Sequence, residues 1–107
     1  MLAKVVATFR RYGFEPAEQR IEFVEGMLQE RLRLSEPVAV AHIDCDRYDS
    51  VRTCLDRIGP NLPAGGVMII DDYHSKSGCR IAVDEFLAAA GDKYRIVEKA
   101  RLHIIRA

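Results

Sequence analysis

Two short apolar runs, each ending in acid, constrain this chain more than any other feature. Val38-Ala39-Val40-Ala41-His42-Ile43 runs into Asp44-Cys45-Asp46, and Val67-Met68-Ile69-Ile70 runs into Asp71-Asp72. Runs of four to six apolar residues bounded by turn signals read as buried strands. In an open α/β sheet, ligands bind beyond the carboxyl ends of the strands, so acids at two such ends can converge on one site. Two like charges about 4 Å apart repel by roughly 4 kcal/mol at an effective dielectric of about 20, so clustered carboxylates need a cation or must partly protonate. Hard, oxygen-seeking Mg²⁺, Ca²⁺ or Mn²⁺ answers that need.

The segments between and around these strands carry helical spacing. Leu2, Val5, Val6, Phe9 and Tyr12 form an amphipathic stripe that stops at Gly13. A loop around Pro16 leads to a short strand over residues 20–25, carried by Ile21, Phe23 and Val24, and Gly26 separates it from a second helix through Met27, Leu28, Leu32 and Leu34. After the strand at 38–43, a helix capped by Asp49 or Ser50 buries Val51, Cys54, Leu55 and Ile58 and ends at Gly59-Pro60. Pro63-Ala64-Gly65-Gly66 is a turn, because a phosphate cradle would stand between a strand and the helix that follows it. A third clear helix runs through Cys79, Ala82, Val83, Phe86, Leu87 and Ala90 to Gly91, and residues 94–97 and 102–105 form an antiparallel hairpin at a sheet edge. The expected class is α/β, with a mostly parallel sheet flanked by helices and a C-terminal antiparallel hairpin.

With 107 residues the chain is one domain, spanning 1–107, and its 16 Lys and Arg balance 16 Asp and Glu. That balance gives no electrostatic ground for a nucleic-acid or membrane partner. No run approaches the about 20 apolar residues of a membrane span. Cys45, Cys54 and Cys79 are odd in number and lack Cys-x-x-Cys spacing, so they read as small apolar groups in a reducing cytoplasm. His42 reads as a hydrogen-bonded structural residue in a buried strand, His74 as the only histidine near the acids, and His103 as an exposed neighbour on the last strand. Tyr48 and Tyr73 follow the acids and can line a pocket or pack over the strand ends, and Arg80 can pair with a site carboxylate.

Three stretches together resemble a known pattern. They are Ile43-Asp44-Cys45-Asp46-Arg47-Tyr48-Asp49-Ser50, Gly65-Gly66-Val67-Met68-Ile69-Ile70-Asp71-Asp72-Tyr73 and Gly78-Cys79-Arg80-Ile81-Ala82-Val83, and Phe9-Arg10-Arg11-Tyr12-Gly13-Phe14 and Ile21-Glu22-Phe23-Val24-Glu25-Gly26 fit ahead of them. This is similar to the macrocin O-methyltransferase (TylF-type) family, class I S-adenosylmethionine-dependent, magnesium-dependent enzymes that methylate sugar hydroxyls. The resemblance implies metal ligands at Asp44, Asp71 and Asp72 and a general base at Asp46, acting on a small-molecule acceptor with vicinal hydroxyls. It also implies a first strand, a Gly-rich turn and a second strand that hold S-adenosylmethionine, and none of these motifs is in the 107 residues. The chain is therefore expected to correspond to the C-terminal part of a truncated Rossmann-like methyltransferase fold, lacking the main donor contacts. Either strand 20–25 then pairs with 38–43, or that edge stays open and supports a homodimer.

Two other functions fit parts of the pattern. A non-catalytic binding or assembly module would keep the fold without the chemistry. A Mg²⁺-dependent phosphatase of the haloacid-dehalogenase type also uses Asp-x-Asp after a strand, but that pattern wants Thr or Val where Tyr48 stands.

Overall fold

The structure is a computed structural model and describes residues 2–107. The elements run α1 (Leu2–Arg11), α2 (Leu28–Arg31), β1 (Val40–Ile43), α3 (Tyr48–Ile58), β2 (Val67–Ile70), α4 (Ser77–Ala90), β3 (Tyr94–Glu98) and β4 (Leu102–Arg106). Short 3₁₀ turns at Gly59–Asn61 and Gly91–Lys93 follow α3 and α4. Among the described residues no helix is long and apolar enough to cross a membrane.

The four strands form one sheet in the order β1-β2-β4-β3. The α/β class is as expected. Parallel pairing is confined to β1 with β2, because the terminal hairpin docks on β2 through β4 and makes both remaining pairings antiparallel. Side chains alternate across a strand, so one face of the sheet presents Ile43, Met68, Ile70, Leu102 and Ile104 to the helices, and all five are buried. Against them pack Val51, Cys54, Leu55 and Ile58 from α3, at the spacing the sequence shows, and Cys79, Ala82, Val83 and Phe86 from α4. Leu55 and Met68 are fully enclosed, and each such side chain contributes about 1.5–3 kcal/mol through its burial. The other face carries His42, Val67, Ile69, His103 and Ile105, half-buried or exposed, and Val40, which is 62% exposed.

Local sequence sets how α3 and α4 start. Arg47, not Asp49 or Ser50, is the residue before the first turn of α3, and its extended backbone supplies the carbonyl that accepts from Val51 N at 3.0 Å. Asp49 lies inside that turn, with Oδ1 accepting from the Ser50 amide at 3.0 Å. The expected side-chain cap is therefore absent, because the helix begins two to three residues earlier than the capping pattern suggests. Gly78 lets α4 come close at this point, since a Cβ there would stand 3.0 Å from Tyr48 N and 3.3 Å from Asp46 O.

The N-terminal third departs most from expectation. Residues 20–25 form no strand: Ile21 N closes a turn onto Pro16 O at 2.8 Å, Arg20 sits at φ 56, and Phe23 spends its ring on an edge-on contact with Phe9 at 5.2 Å. A strand needs a ladder partner, and among the described residues β1 has none on its outer side, so residues 20–25 do not pair with it and that edge is open. The second helix is a single turn, ended where Leu32 turns extended and where Arg57 Nη1 donates to the carbonyls of Leu28 (3.2 Å) and Leu32 (2.9 Å). So short a helix is held by its tether to α3, not by its own propensity.

Candidate metal centre

Sheet register builds the site. Ile43 pairs with Ile70, and Ile70 with Leu102, so the next row across the three strand ends is Asp44, Asp71 and Arg101. The Asp71 amide donates to Ile43 O at 3.0 Å, fixing Asp71 beside Asp44. Asp72 starts the loop into α4, where its carbonyl accepts from Lys76 N at 3.0 Å and its Oδ1 from the Ser75 hydroxyl at 3.3 Å. One oxygen each from Asp44, Asp71 and Asp72 lies within 4.8 Å of the others.

The charges at this site are unequal. The Asp71 carboxylate beside it, aided by partial burial and Asp72, pushes Asp44 above the usual aspartate range. Asp71 moves the other way, because Arg101 and then His42 hold its charged form. Arg101 Nε contacts Asp71 Oδ1, and His42 Nε2 donates to the same oxygen at 3.1 Å. Three carboxylates with no nitrogen or sulfur among them form a donor set for a hard cation, and ligand distances of about 2.0–2.6 Å let one ion bridge oxygens about 4–5 Å apart. The residues fit such an ion.

The three expected ligands thus come together, and the fourth acid does not join them: Asp46 is exposed in the link between β1 and α3. His42 is not in a buried environment, being 51% exposed on the uncovered sheet face, but it is hydrogen-bonded, to Asp71. His74 turns away to Glu98 Oε1 at 2.9 Å. His103 is half-buried and its Nδ1 donates to Arg101 O at 2.9 Å. Arg80 reaches Asp84 at 3.9 Å and covers the Tyr73 ring instead of pairing with a site acid. Tyr73 donates to Asp84 at 2.6 Å and Tyr48 to Glu85, so Tyr73 ties the loop after β2, and Tyr48 the start of α3, to α4. All three cysteines are free, and burial pushes the Cys54 and Cys79 thiols up to about 12 and about 11.

Arg101 is the site residue that sequence reasoning missed. Thirty positions separate it from Asp71, and only the register of β4 on β2 brings them together. Beside it a cavity of about 430 Å³ opens on the uncovered face, lined by His42, Ile69, Lys99, Ala100, Arg101 and His103.

Comparison with known proteins gives this geometry a lineage. The 8-demethyl-8-(2,3-dimethoxy-alpha-L-rhamnosyl)-tetracenomycin-C 4'-O-methyltransferase of Streptomyces olivaceus is 34% identical over 92 residues, which are 84% of this chain and 34% of that protein. The mycinamicin III 3''-O-methyltransferase of Micromonospora griseorubida is 34% identical over 99 residues, 91% of this chain and 38% of that protein. The solved structure of the O-methyltransferase NovP superimposes with a TM-score of 0.82 at 25% identity, over 97% of this chain and 44% of that one. The chain spans about a third of the length of the curated relatives it matches. Residues 1–98 match the macrocin-O-methyltransferase (TylF) description, and the chain belongs to that family.

Proposed function

We propose that this chain carries the metal- and acceptor-binding side of an S-adenosylmethionine-dependent, divalent-metal-dependent O-methyltransferase acting on a vicinal hydroxyl of a sugar or similar small molecule. The observation that supports it is the meeting of Asp44, Asp71 and Asp72 oxygens within 4.8 Å at two neighbouring strand ends. Asp44, Asp71 and Asp72 would hold Mg²⁺ or another divalent ion. That ion, when bound, supplies Lewis acidity that lowers the pKa of an acceptor hydroxyl. Asp46, exposed two residues beyond Asp44, would take the hydroxyl proton, a task an ordinary carboxylate can perform on an already acidified group. The cavity beside Arg101 offers room for the acceptor next to the acids.

The Gly-rich donor motif that the resemblance implies is absent from these 107 residues. We therefore propose that these 107 residues by themselves hold S-adenosylmethionine weakly and transfer no methyl group. The free thiols agree with a cytoplasmic setting. The open outer edge of β1, with Val40 exposed, favours pairing of two copies through that edge in solution.

Calorimetric titration tests the reading. Mg²⁺ should bind the wild-type chain, and Asp71→Asn should weaken it by at least about tenfold through loss of a charged ligand. Equal heats from both proteins would remove the metal site. S-adenosylmethionine binding with micromolar affinity would contradict the weak donor binding, and a monomer in sedimentation at high concentration would contradict the paired edge.

A further inference from the structure

We propose that Arg101 is the resident counter-cation of the Asp44, Asp71 and Asp72 cluster and sets divalent-ion affinity by competing with the ion. The inference rests on the reading of those aspartates as a cation site, and concerns a residue outside the 1–98 stretch that carries the family match. Arg101 Nε sits on Asp71 Oδ1, in the row where a bound ion would also need that carboxylate.

The backbone and the side chain of this residue are held differently. The Arg101 carbonyl accepts from Lys99 N at 3.1 Å and from His103 Nδ1 at 2.9 Å, which fixes the hairpin turn without the guanidinium. The side chain is 49% exposed and borders the open cavity, so it has room to leave Asp71 with no change in the hairpin. A unit positive charge about 5 Å from a divalent ion opposes binding by about tenfold even at a water-like dielectric. Arg101 therefore quiets the repulsion among the acids when no ion is bound, and yields when one arrives. His42, on the same oxygen at 3.1 Å, remains as the contact that orients Asp71.

The test is Mg²⁺ titration at fixed ionic strength of the wild type, Arg101→Gln and Arg101→Lys, read by calorimetry and by the side-chain resonances of Asp71 and Arg101. Arg101→Gln should bind about tenfold more tightly, and Arg101→Lys, which keeps the charge, should stay near wild type. In the wild type the Arg101 Nε signal should move with the same midpoint as the Asp71 carboxyl, a readout that stands even where the Gln variant fails to fold. Weaker or unchanged binding by a folded Arg101→Gln, or an Nε signal unmoved at saturation, overturns the proposal while leaving the metal site intact. Silence of Asp71 in all three proteins overturns both.

Discussion

The two parts of this chain on either side of residue 38 use similar sequence patterns to different ends. Leu2, Val5, Val6 and Phe9 space out along α1 much as Val51, Cys54, Leu55 and Ile58 do along α3, yet α1 buries none of its residues and α3 buries all four of those. Every buried apolar residue of the core lies between Ile43 and Ile104. Amphipathic spacing specifies a helix and a sticky face. A sheet within reach decides whether that face becomes core. Around α1 the apolar groups meet one another instead, with Phe9 edge-on to Phe14 and Phe23, and only Leu28, Leu32 and Leu34 further along pack, partly buried, against the core.

That contrast is sharpest in stability. Leu55→Ala or Ile70→Ala should destabilise the protein by about 2–5 kcal/mol in urea unfolding, because each empties a fully enclosed site. Phe9→Ala should lose about 1 kcal/mol, the scale of one edge-on aromatic contact. Equal losses at Phe9 and Leu55 would break the comparison and place α1 in the core.

A smaller effect probes the same boundary through chemistry. With their thiols pushed up to about 12 and about 11, Cys54 and Cys79 should resist alkylation at pH 8 and react only as fast as the core opens. Labelling of either at the rate of a free thiol would mean that the α3 and α4 interface breathes independently of the sheet.

The smallest effect belongs to the pair between Arg10, in the last turn of α1, and Glu15 in the loop after it, joined at 2.9 Å at the surface. Arg10 lowers the Glu15 pKa. Its stabilisation is therefore present above the ordinary glutamate value and is lost as pH falls through the lowered one. Exposed pairs contribute little, so Glu15→Gln should leave the unfolding midpoint unchanged within error, and a clear shift would show α1 coupled to the core.

What could be read from sequence follows the same division. β2, β4, α3 and α4 were legible because their apolar periodicity coincides with burial, β1 and β3 because short apolar runs stand between turn signals, and the convergence of Asp44, Asp71 and Asp72 follows from parallel strands ending in step. The strand expected at 20–25 was not legible as turn because strand identity depends on a neighbour, and the local apolar alternation carries no record of one. His42 was misread as buried because its run is apolar on both faces while β1 lies at the sheet edge with one face open. Arg101 was invisible for a third reason: its contact depends on the register of a hairpin docked 30 residues away from Asp71.

The proposed site puts a divalent ion where β1 and β2 end. Mn²⁺ added at substoichiometric amounts to uniformly labelled protein reads this directly, since the paramagnetic ion broadens nearby resonances. Broadening should centre on Asp44, Asp71 and Asp72, fade along β1 and β2, spare α1 and disappear in Asp71→Asn. Broadening centred on other acids, such as Glu22 and Glu25, or an unchanged pattern in Asp71→Asn, would contradict it.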